Sequence, residues 1–395
     1  MQNVLEVPFI VAGTPLMAML PEHLAVQLAD CLTLRIVELP AGLVPRRRVD
    51  LFWHERNEPD PVHAWLRENA VSAKFRESVV AASAIPGDRS MSAAVAPLPA
   101  DELARRIVRL VQGASTEVTP HEEPPLESLA PELPAGTTVY VAHTPKATLE
   151  DVVRVSLRLE TLGLRASPHL VARRIESERA LRQAVRDLAG GGVGQILLVA
   201  GDAGRPGHPF SHSLQILESG ALQEAGITRV GIAGHPEGHS AVDPAALWQA
   251  LRDKQALAAR DGLSMHIVTQ FGFHPHAIHA WARQVAAEIA LPVHVGVAGP
   301  APVSQLIRYA MACGVGASLR GLVHNANAFH KVSGLAAHAD EMLIGLVREA
   351  GDAPSPIHGI HLFAFGGVVK SARWLRAVAD GRFRLNPAHD RFATF

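Results

Sequence analysis

The chain has 395 residues, 48% hydrophobic and 19% charged, with 37 Lys and Arg against 38 Asp and Glu for a net charge of −1. That length can hold two domains, or one barrel-sized domain with an appendage. The near-neutral balance, with residues 45–48 ("PRRR") as the only tight cationic run, gives no case for nucleic acid, and no apolar run is long enough to span a bilayer.

Two cysteines far apart, Cys31 and Cys313, form neither a disulfide framework nor a metal-type pair, which fits a reducing compartment. The apolar N-terminus carries Glu6 and has no Lys or Arg before Arg35, so the positive region of a secretory signal is missing. A cytoplasmic location is the expectation.

In chain order, a short N-terminal piece comes first. Residues 76–99, rich in Ala, Ser and Pro and without periodicity, read as a linker. Downstream, apolar strand-like runs begin near residues 115 ("STEVT"), 138 ("TVYVA"), 165 ("RASPHL"), 195 ("QILLVA"), 229 ("RVGIAG"), 265 ("MHIVTQF"), 292 ("PVHVGVAG") and 359 ("GIHLFAF"). Helical patterns fall between most of them. One has Thr148 as N-cap, Asp151 three residues on, and Leu149, Val152, Val153 and Leu157 along one face. Another starts with Asp243 as cap and Pro244 at the first helical position. Such repetition over roughly 270 residues predicts an α/β fold of the (β/α)₈ barrel type with a short N-terminal α/β appendage. A doubly wound open sheet is the rival.

Polar and glycine-rich tips follow the strands: "TEVTPHEE", "VAHTP", "SPHL", "VAGDAGRPGHP", "AGHPEGHS", "TQFGFHPH", "VAGPAPVS" and "FAFGG". Barrel enzymes hold their chemistry at that rim. Glu117 sits mid-strand among small and β-branched residues, so it faces either bulk water or a pocket that uses its proton. "GGGVGQ" (190–195) precedes a strand and cannot be a Rossmann phosphate turn, whereas "GDAGRPG" (201–207) follows one, where backbone can approach a ring or a phosphate. The histidine pairs in "HPEGH", "HPHAIH" and "HGIH" lack the accompanying carboxylate or cysteine set of a zinc site, and no metal is expected.

Taken in order, "TEVTP", "SPHL", "VAGD", "HPEGH", "VTQFGF" and "GPAPVS" resemble the methylenetetrahydrofolate reductase family of flavin-bearing (β/α)₈ barrels, over roughly residues 100–385. The resemblance implies FAD as cofactor, NAD(P)H as co-substrate and a folate as small-molecule substrate, with no nucleic-acid or membrane partner; a homo-oligomer is compatible with it. It implies Glu117 as general acid, Asp202 near flavin and pterin, and Gln270 as a folate contact. His169, Gly201, Asp202, His235, His239 and Lys254 match flavin-binding positions. His235 stands where the family more often has tyrosine, and Ala200 where an arginine precedes "GD".

The implied chemistry needs a proton on the leaving nitrogen to open the one-carbon ring before hydride arrives. A strand-borne carboxyl enclosed by a stacked ring system loses the hydration that favours its anion, which suits a donor. Asp202 is able to accept from an amino-pyrimidinone edge, its bland alternative being a distant helix cap. Gln270 offers donor and acceptor to the same edge, or merely bonds backbone. Lys254 shares a helical face with Leu247 and Leu251, and is either a snorkelling lysine or an anion contact.

Residues 1–69 are different. "FIVAGTPLMAMLPEHLA" and "VDLFWHERNEPDPVHAWLREN" resemble the tail of the effector-binding domain of LysR-type regulators, giving an expected division into 1–75 as that fragment, 76–99 as linker and 100–395 as barrel. Two other readings follow: a ligand-sensing regulator fragment, or a folate-binding barrel that passes hydride without flavin.

Overall fold

The computed structural model describes residues 98–121, 126–201, 208–239, 242–301, 309, 339–351, 355, 357–365 and 367–395. The expectations for the N-terminal fragment, both cysteines, Asp202 and the end of the "GPAPVS" loop lie outside the described residues. The chain divides between Pro97 and Leu98, and the barrel belongs to the second unit, Leu98–Phe395.

Eight parallel strands pair in sequence order and the last returns to the first, so the sheet is a closed barrel rather than an open one. They are β1 (Ser115–Val118), β2 (Thr138–Val141), β3 (Arg165–Val171), β4 (Gln195–Val199), β5 (Arg229–Gly234), β6 (Ser264–Phe271), β7 (Val293–Ala298) and β8 (Ile357–Phe363). All eight begin within a few residues of the apolar runs. Helices alternate with them: α1 (Ala100–Val111) ahead of β1, then α2 (Leu126–Leu129), α3 (Leu149–Thr161), α4 (Glu178–Gly190), α5 (Ser213–Glu218), α6 (Ala221–Glu224), α7 (Pro244–Asp261), α8 (Pro275–Glu288), α9 (Ala339–Ala350) and α10 (Val368–Ala379). A hairpin of β9 (Phe383–Leu385) and β10 (Phe392–Thr394) follows.

Local chemistry explains several boundaries. Thr148 Oγ1 accepts from Asp151 N at 3.1 Å while Asp151 Oδ2 accepts from Thr148 N at 3.1 Å, a reciprocal box that starts α3. The buried stripe of α3 is Val152, Val155, Ser156 and Leu159; Leu149, Val153 and Leu157 flank it, which corrects the expected face. Ser156 tolerates burial because its hydroxyl donates to Val152 O at 2.7 Å. Asp243 Oδ1 accepts from Ala245 N at 2.8 Å to open α7, and Gly262, at φ 68°, ends it.

The main apolar core lies between barrel and helices, where Val139, Leu170, Ile196, Val230, Ile267 and Ile360 meet fully buried positions such as Leu103, Ile107, Val152 and Leu181. A barrel interior is normally filled by bulky branched residues. Here, among the described residues, it holds one small apolar cluster of Tyr140, Leu197 and Val268 and, towards the C-terminal end, another in which Phe363 packs against Phe271, Ala298 and Phe365, with polar groups between. Tyr140 Oη bonds His266 Nε2 at 3.0 Å; Gln195 Nε2 donates to Tyr140 Oη at 3.2 Å and to Ser167 Oγ at 3.3 Å. His266 and His294 lie edge to face with centroids 5.4 Å apart.

Between β6 and β7 the register shifts from Val268 to Phe271. Gly296 N donates to Thr269 Oγ1 at 2.8 Å, and a Cβ on Gly296 would lie 2.4 Å from Thr269 O, so the close approach needs glycine. This bulge sets how Gln270 leaves the strand.

Candidate active site at the C-terminal mouth

Glu117 lies at the C-terminal end of β1, and its neighbours are interior residues. Its Oε2 stands 3.8 Å from His361 Nε2, with 15% of the side chain exposed. His361, on β8, is fully enclosed; its Nδ1 bonds Ser115 Oγ at 2.9 Å, and its ring lies edge-on to Tyr140 at 4.7 Å. When the Ser115 hydroxyl donates to Nδ1, the imidazole hydrogen sits on Nε2 and faces Glu117. Ser, His and carboxylate are thus in line, with Ser115 buried at 7% exposure and bonded to the far side of the imidazole from Glu117. The Glu117 carboxyl faces the barrel mouth, not bulk solvent.

His169, on β3, packs edge-on against Tyr140 at 5.9 Å, and its Nε2 is buried without a hydrogen-bond partner. Burial holds its pKa down at about 4, so it is a neutral imidazole at physiological pH. His143, in the loop after β2, has an orphaned Nδ1 and is likewise held at about 4 by burial, then by Arg174.

The tip of β5 gathers a second set. His235 and His239 lie nearly perpendicular at 5.3 Å. Burial, then His239 and Lys254, push His235 down to about 4. Lys254 reaches in from α7, is 9% exposed rather than snorkelling, and has its pKa lowered by burial. Lys254 and His235 therefore converge where each loses hydration, with the exposed His239 beside them, an arrangement in which a bound anion relieves the charge on Lys254.

Gln270 lines a small cleft with His235, Glu237 and Gly272. Its Oε1 accepts from Phe271 N at 3.1 Å, as the plain strand-end alternative expects, while its amide nitrogen is not tied by that bond. Glu237 Oε1 accepts from Phe273 N at 3.1 Å and His274 N at 3.3 Å, coupling the β5 loop to the start of α8; its Oε2 is buried without a partner. After β4, Gly201 adopts φ 84°, and a Cβ there would lie 2.3 Å from Val171 Cγ1. An arginine does reach this tip, from the turn after β3: Arg173 Nη1 donates to Gly201 O at 2.7 Å, beside the position where the sequence has Ala200.

The structure thus brings Glu117 and His169 to one interior, and His235, His239, Lys254 and Gln270 to the β5–β6 side of the same rim. Asp202 is outside the described residues. Tyr140, His361, Ser115 and Glu237 were missed as site residues, although His361 stood in the "HGIH" pair. The histidines of "HPHAIH" serve separate partners, His276 bonding Glu349 at 3.0 Å and His279 bonding Leu346 O at 2.8 Å. Among the described residues no three His, Cys, Asp or Glu side chains converge as a metal site, and no helix is long and apolar enough to cross a membrane.

No protein-family model matches the chain. The HTH-type transcriptional regulator SyrM 1 of Sinorhizobium fredii is 39% identical over 71 residues, 18% of this chain and 21% of that protein. The HTH-type transcriptional regulator SyrM of Rhizobium etli is 37% identical over 71 residues, again 18% and 21%, and the likeness lies in the N-terminal region. The chain therefore spans about a fifth of the length of the curated relatives it matches. A solved structure of oxaloacetate acetylhydrolase in complex with the inhibitor 3,3-difluorooxalacetate aligns with TM-score 0.36 and 12% identity, over 67% of this chain and 80% of that one. That likeness is too loose to argue from; the (β/α)₈ barrel stands on strand order and closure.

Proposed function

We propose that the barrel is a flavin-dependent oxidoreductase interconverting 5,10-methylenetetrahydrofolate and 5-methyltetrahydrofolate with NAD(P)H, with Glu117 as proton donor. The observation that carries the reading is the Glu117 carboxyl at the barrel mouth, enclosed by His361 and lying at the same end of the barrel as Gln270.

The residues present fit FAD. The buried Lys254, with the neutral His235 and the exposed His239 beside it, offers a positive charge and hydrogen-bonding imidazoles suited to its phosphates. When bound, FAD supplies hydride chemistry. The chain does the rest. Glu117 holds a proton and delivers it to the leaving ring nitrogen; His361 fixes the carboxyl and keeps bulk water from its inner side. His169 and Tyr140 form a neutral wall that adds no competing charge. The Gln270 amide nitrogen donates to the pterin edge, with Asp202 proposed as the acceptor opposite.

A visible spectrum of the purified protein tests this directly. A flavin band that bleaches anaerobically with NAD(P)H and recovers with methylenetetrahydrofolate is expected; a colourless, folate-inert preparation defeats the reading. Glu117→Gln is expected to keep the flavin while folate turnover falls at least about 10²-fold.

A second reading, a ligand-sensing regulator, draws on the short match to the HTH-type regulators. Salt-dependent binding of duplex DNA by the full chain, with no folate turnover, would favour it.

A further inference from the structure

The opposite end of the barrel carries a feature that folate chemistry does not use. A cavity of about 240 Å³ lies at the N-terminal end, lined by Thr138, Glu160, Arg165, Gln195, Arg229 and the glycine turn Gly192–Gly194. Register places these together: Thr138 pairs with Arg165, and Gln195 with Arg229, so the first residues of β2 to β5 ring one opening. The glycines are the "GGGVGQ" stretch, wrong for a Rossmann turn but here forming one wall. Gly192 adopts φ 94° with open space where a Cβ would sit, which leaves that side clear.

The charges are unbalanced. Arg154, Arg158, Arg182, Arg252, Arg260 and Arg373 each pair with a carboxylate. Arg165 and Arg229 act at longer range on Glu160, yet neither has a carboxylate at ion-pair distance among the described residues. Glu160 is engaged elsewhere, its Oε1 accepting from Ala166 N at 2.7 Å. Two guanidinium groups against one carboxylate leave the lining at +1 (2 − 1), around a space large enough for a compact anion and smaller than a cofactor pocket.

We propose that this cavity is a phosphate site, taking inorganic phosphate or the phosphate of a compact monoester between Arg165 and Arg229. Guanidinium forks match phosphate oxygens in pairs. Gln195 links the site to the barrel interior through its bonds to Tyr140 and Ser167. The site is independent of the folate reading.

Isothermal titration of the full chain at fixed ionic strength, with inorganic phosphate and separately with glycerol 3-phosphate, tests it. Saturable binding is expected, weakened about tenfold or more by Arg165→Gln or Arg229→Gln and abolished in the double variant. Glu160→Gln, which keeps the acceptor for Ala166 N and raises the lining to +2, is expected to tighten it. Lys254→Met, at the other mouth, is expected to leave it unchanged. Tighter binding of the ester assigns a phosphorylated metabolite, and equal affinity assigns free phosphate. Absence of saturable binding by both probes, binding that survives in the double variant while it remains folded by circular dichroism, or binding lost in Lys254→Met would each overturn the proposal.

Discussion

Thr116 Oγ1 donates to Leu362 O at 3.0 Å, pinning β1 to β8 where only two residue pairs hold the seam. That bond faces away from the barrel axis, and its consequence is on the inside: it holds Glu117 one residue from Thr116 and His361 one residue from Leu362. A 3.8 Å separation is long for a hydrogen bond, as catalytic contacts often are before ligand closes the site. We expect His361→Phe to retain flavin and keep KM for folate within roughly twofold, while kcat falls about tenfold and the alkaline limb of its pH profile, where a proton donor is lost, moves. A purely structural histidine would leave that limb in place, and an unmoved limb with unchanged kcat would sink the positioning role. Glu117 and Gln270 were legible in the sequence because each is a polar group at a strand end. His266, His294 and His361 were not, because a lone histidine within an apolar run has no partner visible along the chain. A signal was nevertheless present. His169, His266, His294 and His361 each stand among apolar residues whose neighbours at odd spacing face the helices, so period-two alternation turns all four inward.

Helix starts were readable from local chemistry, since a capping box is complete within four residues; Thr148→Ala is expected to lower stability by about 1 kcal/mol in urea unfolding. Contacts closed by distant residues were not readable, and the C-terminal hairpin shows why. Phe392 N donates to Asp340 Oδ2 at 3.1 Å, and Phe392 stacks on Trp374 with centroids 6.1 Å apart, joining β10 to α9 and α10. Burial raises the Asp340 pKa to about 6, and its Oδ1 has no partner. Because the folded value lies above the unfolded one, the folded state retains a proton that the unfolded chain has released. This contribution is fully present below about pH 4 and is lost as pH rises through about 6, a cost of up to about 3 kcal/mol at neutral pH. Asp340→Asn keeps an acceptor for Phe392 N without the charge. It is expected to raise Tm at pH 8 and to make little difference at pH 4; equal Tm values at pH 8 would contradict the buried-anion account.

Across the whole barrel the interior histidines work in the opposite direction, and their number decides the balance. His143, His169, His235, His266 and His294 are each held at about 4, first of all by burial, against 6.5 for an exposed imidazole. A depressed folded value means that the unfolded chain takes up protons the folded barrel refuses. Their stabilising contribution is complete above about pH 6.5 and disappears as pH falls towards 4. Taken singly, each shift corresponds to roughly 3 kcal/mol, and only a fraction of that summed over the set is comparable with the ~5–15 kcal/mol that holds an ordinary domain. Asp340 and Glu160, both raised by burial, lean the other way but are too few to offset it. The barrel is therefore expected to lose cooperative structure between about pH 6 and 4.5, well above the range in which carboxylates protonate. Calorimetry across pH 7.5 to 4.5 reads this as a steep fall in Tm with net proton uptake on unfolding. Replacing the His266 and His294 imidazoles together by glutamine, which keeps a hydrogen-bonding group towards Tyr140, is expected to flatten the slope even if it lowers Tm at neutral pH. A Tm that stays level down to pH 4.5 would mean that the polar interior admits water freely and that its histidines protonate without cost to the fold.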